Sequence, residues 1–167
     1  MADAPAAVAA RRRGPLYYRL TRRLFRIPEQ HRGAVLEAVV ALLSARFALV
    51  FTSFDRLAAT FGTVTTPQAD DGSRHAVLGP EQAQTARIVG WAVTRAARYV
   101  PFRAVCLPQA IAAMVLLKRR GIPSVMHFGV RKVPGKKLDA HAWLNAGEVE
   151  VTGYPVDDGF VEVARFL

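Results

Sequence analysis

The stretch "AVCLPQAIAAMVLLKRRG", residues 104–121, decides how the chain reads. It holds the only cysteine, Cys106, two residues before Pro108 and at the mouth of an apolar run closed by Lys118, Arg119, Arg120 and Gly121. Pro108 has no amide hydrogen to leave unsatisfied, so it fits a first helical turn. The cations answer the negative end of the helix dipole, and Gly121 with Pro123 beyond it stops the helix. A helix is therefore predicted from about Leu107 to Arg120, with Cys106 just outside it and facing free amides. A thiolate is favoured in such a place, and amides such as that of Leu107 can hold the oxyanion of an attacked carbonyl. A lone cysteine beside an apolar helix also reads as a small inert filler. A base elsewhere in the chain has to decide between the two.

Beyond this helix the hydrophobic period switches to two. "SVMHFGVRK" (124–132), "LDAHAWL" (138–144) and "EVEVTGY" (148–154) predict three short strands, joined by the basic turn "VPGKK" and the hairpin turn "NAGE". Before it the pattern is helical. Leu36, Val39, Val40, Leu43, Phe47 and Val50 recur at three- and four-residue steps, and a break is expected near Thr52 and Ser53. "PEQAQTARIVGWAVTRAARYVP" (80–101) opens with Pro80 and Glu81 and closes before Pro101, with Trp91 expected as a core anchor. Helices first and an antiparallel meander after them make an α+β chain. Its expected organisation is a basic, partly disordered tail over residues 1–27 and one domain over 28–167. Within that domain, apolar helices take 28–62, a loop 63–80, helices 81–121 and antiparallel sheet 124–167.

Composition narrows the class. With 51% apolar and 22% charged residues in 167, the chain can bury a core. One cysteine makes no internal disulfide and no structural zinc site, and neither metal nor cofactor is expected. The opening residues place small residues before the arginines, the reverse of a secretory signal, which points to the cytoplasm. Net charge is +10, and eight of the arginines fall within residues 1–32 against Asp3 and Glu29. Such a patch suits phosphates, anionic lipid or an acidic peptide. No RNA-binding or zinc-finger signature accompanies it, so nucleic acid is not expected. The apolar stretch from Gly33 to Phe51 nears the length of a membrane span. It contains Glu37 and Arg46, each costing ~2.5–3.5 kcal/mol at depth, so a buried or membrane-touching helix is expected instead.

Four histidines are candidate bases. His31 sits in a basic helix start and His75 in the polar loop, whereas His127 and His141 lie on adjacent strands. In "LDAHAWL" alternation puts His141 on one face with Asp139 and Trp143, and Ala140, Ala142 and Leu144 on the other. An imidazole beside a tryptophan and between small residues is placed to pack over a helix mouth, so His141 is preferred to His127.

"CLPQAIAAMVLLKRRGIPSVMHFGVRK" followed by "LDAHAWL" resembles the lasso peptide biosynthesis B2 proteins, leader peptidases of the transglutaminase-like cysteine protease superfamily. The resemblance covers residues 101–153 and implies a papain-like arrangement. In it Cys106 attacks the scissile carbonyl, and His141 takes the thiol proton and returns it to the leaving amine. It implies a substrate too: the leader of a ribosomally made precursor peptide. The implied partners are a winged-helix leader-binding protein in trans and an ATP-dependent cyclase that closes the ring. Members of that family often carry an aspartate about twelve residues after the histidine, where this chain has Gly153. A turn at Ala146 and Gly147 would put Thr152 opposite His141. The third catalytic residue is therefore sought in Asp157, with Asp158 and Asp139 as alternatives, or in backbone or water. Asn145 is the residue type that orients the base in papain-like enzymes but lies at the turn. The same dyad also serves acyl transfer to an amine. A non-enzymatic rival is a basic module that binds a membrane or a partner through its apolar first half.

Overall fold

The computed structural model describes residues 27–52, 64–65, 77–133, 135 and 138–166. The arginine-rich tail, the helical continuation after Ser53 and His75 lie outside them. Three helices come first: α1 (Glu29–Phe51), α2 (Pro80–Ala96) and α3 (Cys106–Lys118). The strands are β1 (Val64–Thr65), β2 (Val125–Arg131), β3 (Asp139–Ala146), β4 (Val149–Thr152) and β5 (Val161–Phe166). All pair antiparallel, in the order β1-β5-β2-β3-β4. The α+β architecture is the expected one, with a helical layer on one face of the sheet.

Alanines set the helix packing. Val35, Ala38, Leu42 and Ala45 of α1, Ala86, Ala92, Val93 and Ala96 of α2, and Ala110, Ala113 and Leu117 of α3 form one buried cluster. Small side chains let the axes approach at the short end of the usual 8–10 Å. The cluster continues onto the sheet through Met126, Ala142, Leu144, Ala146, Val149, Val151 and Phe166. The last carbonyls of α3 are answered as expected, by Arg120, whose Nη1 donates to the Leu116 carbonyl at 2.9 Å while its guanidinium pairs with Glu37 of α1.

Three details depart from the sequence reading. First, the large apolar residues of α1 do not make its packing face. Leu36, Val40, Leu43, Phe47, Val50 and Phe51 are exposed, and Val35, Ala38, Leu42 and Ala45 between them are buried. By length and composition α1 is apolar enough to cross a membrane, yet its small-residue face packs on α2 and α3. Second, β1 falls in the stretch expected as loop, and β5, inside the expected sheet of 124–167 but not named as a separate strand, inserts between β1 and β2, so the sheet is more than a meander. Third, the β3–β4 turn falls at residues 147 and 148, one step later than read. With a bulge in the pairing, Thr152 lies opposite Leu144 rather than His141.

Leu117→Ala, in the fully buried seam, is expected to lower the unfolding free energy by about 2–5 kcal/mol in urea titrations. Val40→Ala, on the exposed stripe of α1, is expected to change it by less than about 0.5 kcal/mol.

Candidate active site

Cys106 is the first residue of α3, preceded by Val105 as an N-cap without a side-chain hydrogen bond. The helix thus starts one residue earlier than its sequence suggests, and the thiol is half-buried at the margin of the core. Pro108 contributes no donor, and the Gln109 amide already donates to the Val105 carbonyl. Among the described residues this leaves the amides of Cys106 and Leu107 without partners, both at the thiol. Gln109 fixes the approach to the helix by donating from Nε2 to the Ala104 carbonyl at 2.6 Å. Two free donors at a helix N-terminus are an arrangement suited to a developing oxyanion.

Chain geometry sets which end of the sheet lies level with this mouth. The 13 residues of α3 rise about 18 Å. After the reversal at residues 121–124, β2 runs back beside the helix, and from Val125 to Gly129 it climbs about 13 Å. Gly129 pairs with His141 and Arg131 with Asp139, so His141 lies in the half of the sheet toward the Cys106 end of α3. Alternation in β3 turns Ala142 and Leu144 toward the helices and His141, Trp143 and Asn145 to the other face. The imidazole is thus at the right end of the molecule but on the sheet's outer face. Among the described residues no hydrogen bond joins it to the thiol.

What holds His141 is a backbone group. Its Nε2 lies 2.7 Å from the carbonyl oxygen of Gly153. A carbonyl only accepts, so Nε2 carries the proton and Nδ1 keeps its lone pair. Among the described residues Nδ1 makes no hydrogen bond. The ring packs against Trp143 at 5.9 Å and Phe160 at 5.3 Å between centroids. Gly153 has φ 85°, and a Cβ there would come within 2.5 Å of the Ala142 carbonyl oxygen and 2.8 Å of Trp143 Cα. No aspartate side chain fits at this position. The carbonyl does the orienting that a carboxylate would do.

His127, the other strand histidine, has partners on both ring nitrogens. Asn145 donates from Nδ2 to the Gly147 carbonyl, which turns its Oδ1 toward the ring to accept from His127 Nε2. On the other side Glu162, ion-paired with Arg165, accepts from Nδ1 at 2.7 Å. Both ring nitrogens are therefore occupied by side-chain partners. The ring lies nearly parallel to Trp143, 5.4 Å away at 6°. Trp143 is thus held between two imidazoles, one locked and one with a free nitrogen.

The candidate acids are engaged elsewhere. Asp157 receives Arg131 Nη1 at 2.6 Å and the Gly159 amide at 2.9 Å. Asp139 receives Arg131 Nη2 at 2.9 Å. Asp158 is exposed. Asp157 thus does not fold back onto His141, because Arg131 and its own turn hold it. The guanidinium shared by Asp139 and Asp157 sits 4.5 Å from the centroid of Phe160, the ring that walls His141. The acids act on the site at one remove, by bracing Phe160. A backbone acceptor was among the expected alternatives, but which carbonyl supplies it, and the Arg131–Phe160 brace, were not legible. The missing acid at Gly153 was the available signal for the first.

Comparison with known proteins bears on this geometry. Residues 48–165 match the family model described as the transglutaminase-like superfamily. No curated protein and no solved structure matches the chain.

Two outcomes test the arrangement. Long-range proton–nitrogen NMR should show His141 as the Nε2–H tautomer at neutral pH, and Gly153→Ala, which forces a left-handed alanine, should cost at least about 1–2 kcal/mol of stability. The Asp157 carboxyl is held below its usual range, chiefly by the Gly159 amide and then by Arg131. Because its folded value is depressed, its stabilisation is full above the unfolded value near pH ~4 and fades as pH falls through the folded one. Melting temperatures of wild type and Asp157→Asn should therefore differ at neutral pH and converge in acid. Curves that stay parallel contradict the ion pair.

Proposed function

Because the chain belongs to the transglutaminase-like superfamily, which suggests cysteine hydrolase or transferase activity, we propose that it is a cysteine peptidase whose nucleophile is Cys106 and whose base is His141. The observation that carries the reading is the Gly153 carbonyl on His141 Nε2, which leaves Nδ1 without a hydrogen-bond partner among the described residues. In the proposed first step Nδ1 takes the thiol proton and Sγ attacks the scissile carbonyl carbon. The oxyanion then accepts from the amides of Cys106 and Leu107. Collapse of this intermediate breaks the C–N bond, the amine leaves with the proton from Nδ1, and a thioester remains. Water, deprotonated by the same nitrogen, releases a free carboxylate and restores the thiol. The reading requires Nδ1 to come within hydrogen-bonding reach of Sγ when substrate binds. Catalytic hydrogen bonds are often long in unliganded enzymes and tighten in the complex.

The proposed substrate is the leader segment of a ribosomally made lasso-type precursor, which the "CLPQAIAAMVLLKRRG" and "LDAHAWL" motifs support. A winged-helix leader-binding protein and an ATP-dependent cyclase are its proposed partners, and the cytoplasm its proposed compartment. The exposed stripe from Leu36 to Phe51 is the feature that supports peripheral membrane contact. Asp157 remains in the proposal as the acid that holds Arg131 and, through it, Phe160. If it were instead the third catalytic residue, its loss would cost about 10⁴-fold, as in serine peptidases.

Cys106→Ala and His141→Ala should each lower precursor cleavage by about a thousandfold or more with an unchanged circular dichroism spectrum. Asp157→Asn should keep most of the wild-type rate. Mass spectrometry of the product separates hydrolysis, which leaves a carboxylate, from transfer, which leaves an amide. Full cleavage by Cys106→Ala overturns the proposal.

A further inference from the structure

A second feature lies on the far side of β4. Gly90, Trp91, Thr94, Arg95 and Arg98 of α2 and the turn after it, with Val151 of β4, line a cavity of about 270 Å³. Gly90 is what lets the helix settle there, since a Cβ would collide with the Val151 carbonyl. Trp91 is 42% exposed, so the expected core anchor is instead a wall of the cavity. His31 of α1 braces it from behind, with ring centroids 5.2 Å apart. Arg95 and Arg98 stand three residues apart at the helix end, where like charges repel. Neither has a carboxylate partner among the described residues. Cations at a helix C-terminus are ordinary, but Nε of Arg95 is also buried and makes no hydrogen bond. A buried donor with no acceptor calls for a missing partner.

We propose that this cavity binds an acidic side chain of a peptide, its carboxylate held between Arg95 and Arg98 and its flanking residue against Trp91. Guanidinium forks fit a carboxylate bidentately. A free inorganic anion would fill only part of 270 Å³ and leave the indole bare. Val151 is two residues from Gly153, so the cavity is walled by the strand that leads into the residue orienting His141. The inference rests on the peptidase reading for taking a peptide as ligand. Its test measures binding without turnover, so its failure is distinct from a failure of catalysis.

The experiment is calorimetric titration, at low ionic strength, of the full chain with a capped Leu-Glu-Leu peptide, its Leu-Gln-Leu analogue and inorganic phosphate. The glutamate peptide should bind about tenfold tighter than the glutamine one and lose about tenfold in Arg95→Gln and in Arg98→Gln. Arg119→Gln, on the exposed end of α3, should bind like wild type. Arg98 is exposed, so its variant tests the site even if the Arg95 variant is unstable. Three outcomes overturn the proposal: no binding of the glutamate peptide to wild type, equal binding by both arginine variants, or phosphate binding that the peptide does not displace.

Discussion

One hydrogen bond organises the candidate site: the Nε2–H of His141 donating to the Gly153 carbonyl at 2.7 Å. It fixes the tautomer, and with it which nitrogen can act as base. Everything nearby serves that contact. The bulge in β4 shifts Thr152 to a position opposite Leu144 and brings Gly153 beside Trp143, where only a residue without a side chain fits. Trp143 and Phe160 then confine the ring, and Arg131 holds Phe160 from outside between two aspartates. An acceptor built from backbone carries no charge, so the imidazolium formed on proton transfer gains less stabilisation than a carboxylate gives. It has the compensating merit of being fixed by the strand itself.

The nucleophile's side of the site depends on the helical layer. α3 must lie flat on Ala142, Leu144 and Ala146 for its mouth to reach the end of the sheet, and it does so because its inward face is alanine-rich. The same choice of small residues in α1 leaves that helix with its larger apolar side chains outside.

Much of this was legible in the sequence. The helix bounded by Cys106 and Gly121 carries its own start and stop signals, and the alternation in "LDAHAWL" gave the faces of His141 correctly. β5 was hidden because its pattern is inverted. Val161 and Val163 are exposed while Arg165 is 2% exposed, buried by its pairing with Glu162. A reading that sends valines inward and arginines outward cannot see such a strand. The orienting group was anticipated only as one alternative, an unspecified backbone group, for a different reason. Side chains can be counted along a sequence, whereas a backbone carbonyl is present at every residue and becomes an acceptor only through register. The preference for His141 over His127 rested on small neighbours and the adjacent tryptophan, and the feature of the structure that agrees with it was not legible in the sequence. The structural reason is that Glu162 and Asn145 take both nitrogens of His127.

The central claim is that the free Nδ1 of His141 activates Cys106. Its most direct test is the rate at which a chloromethyl ketone carried on a precursor-derived peptide, which occupies the site as substrate does, alkylates the sole cysteine at neutral pH, in wild type and in His141→Ala. An unassisted thiol is only a few per cent thiolate under these conditions, so the account expects alkylation to slow about tenfold in the variant. Equal rates in the two proteins would mean that the imidazole never reaches the sulfur, and would contradict it.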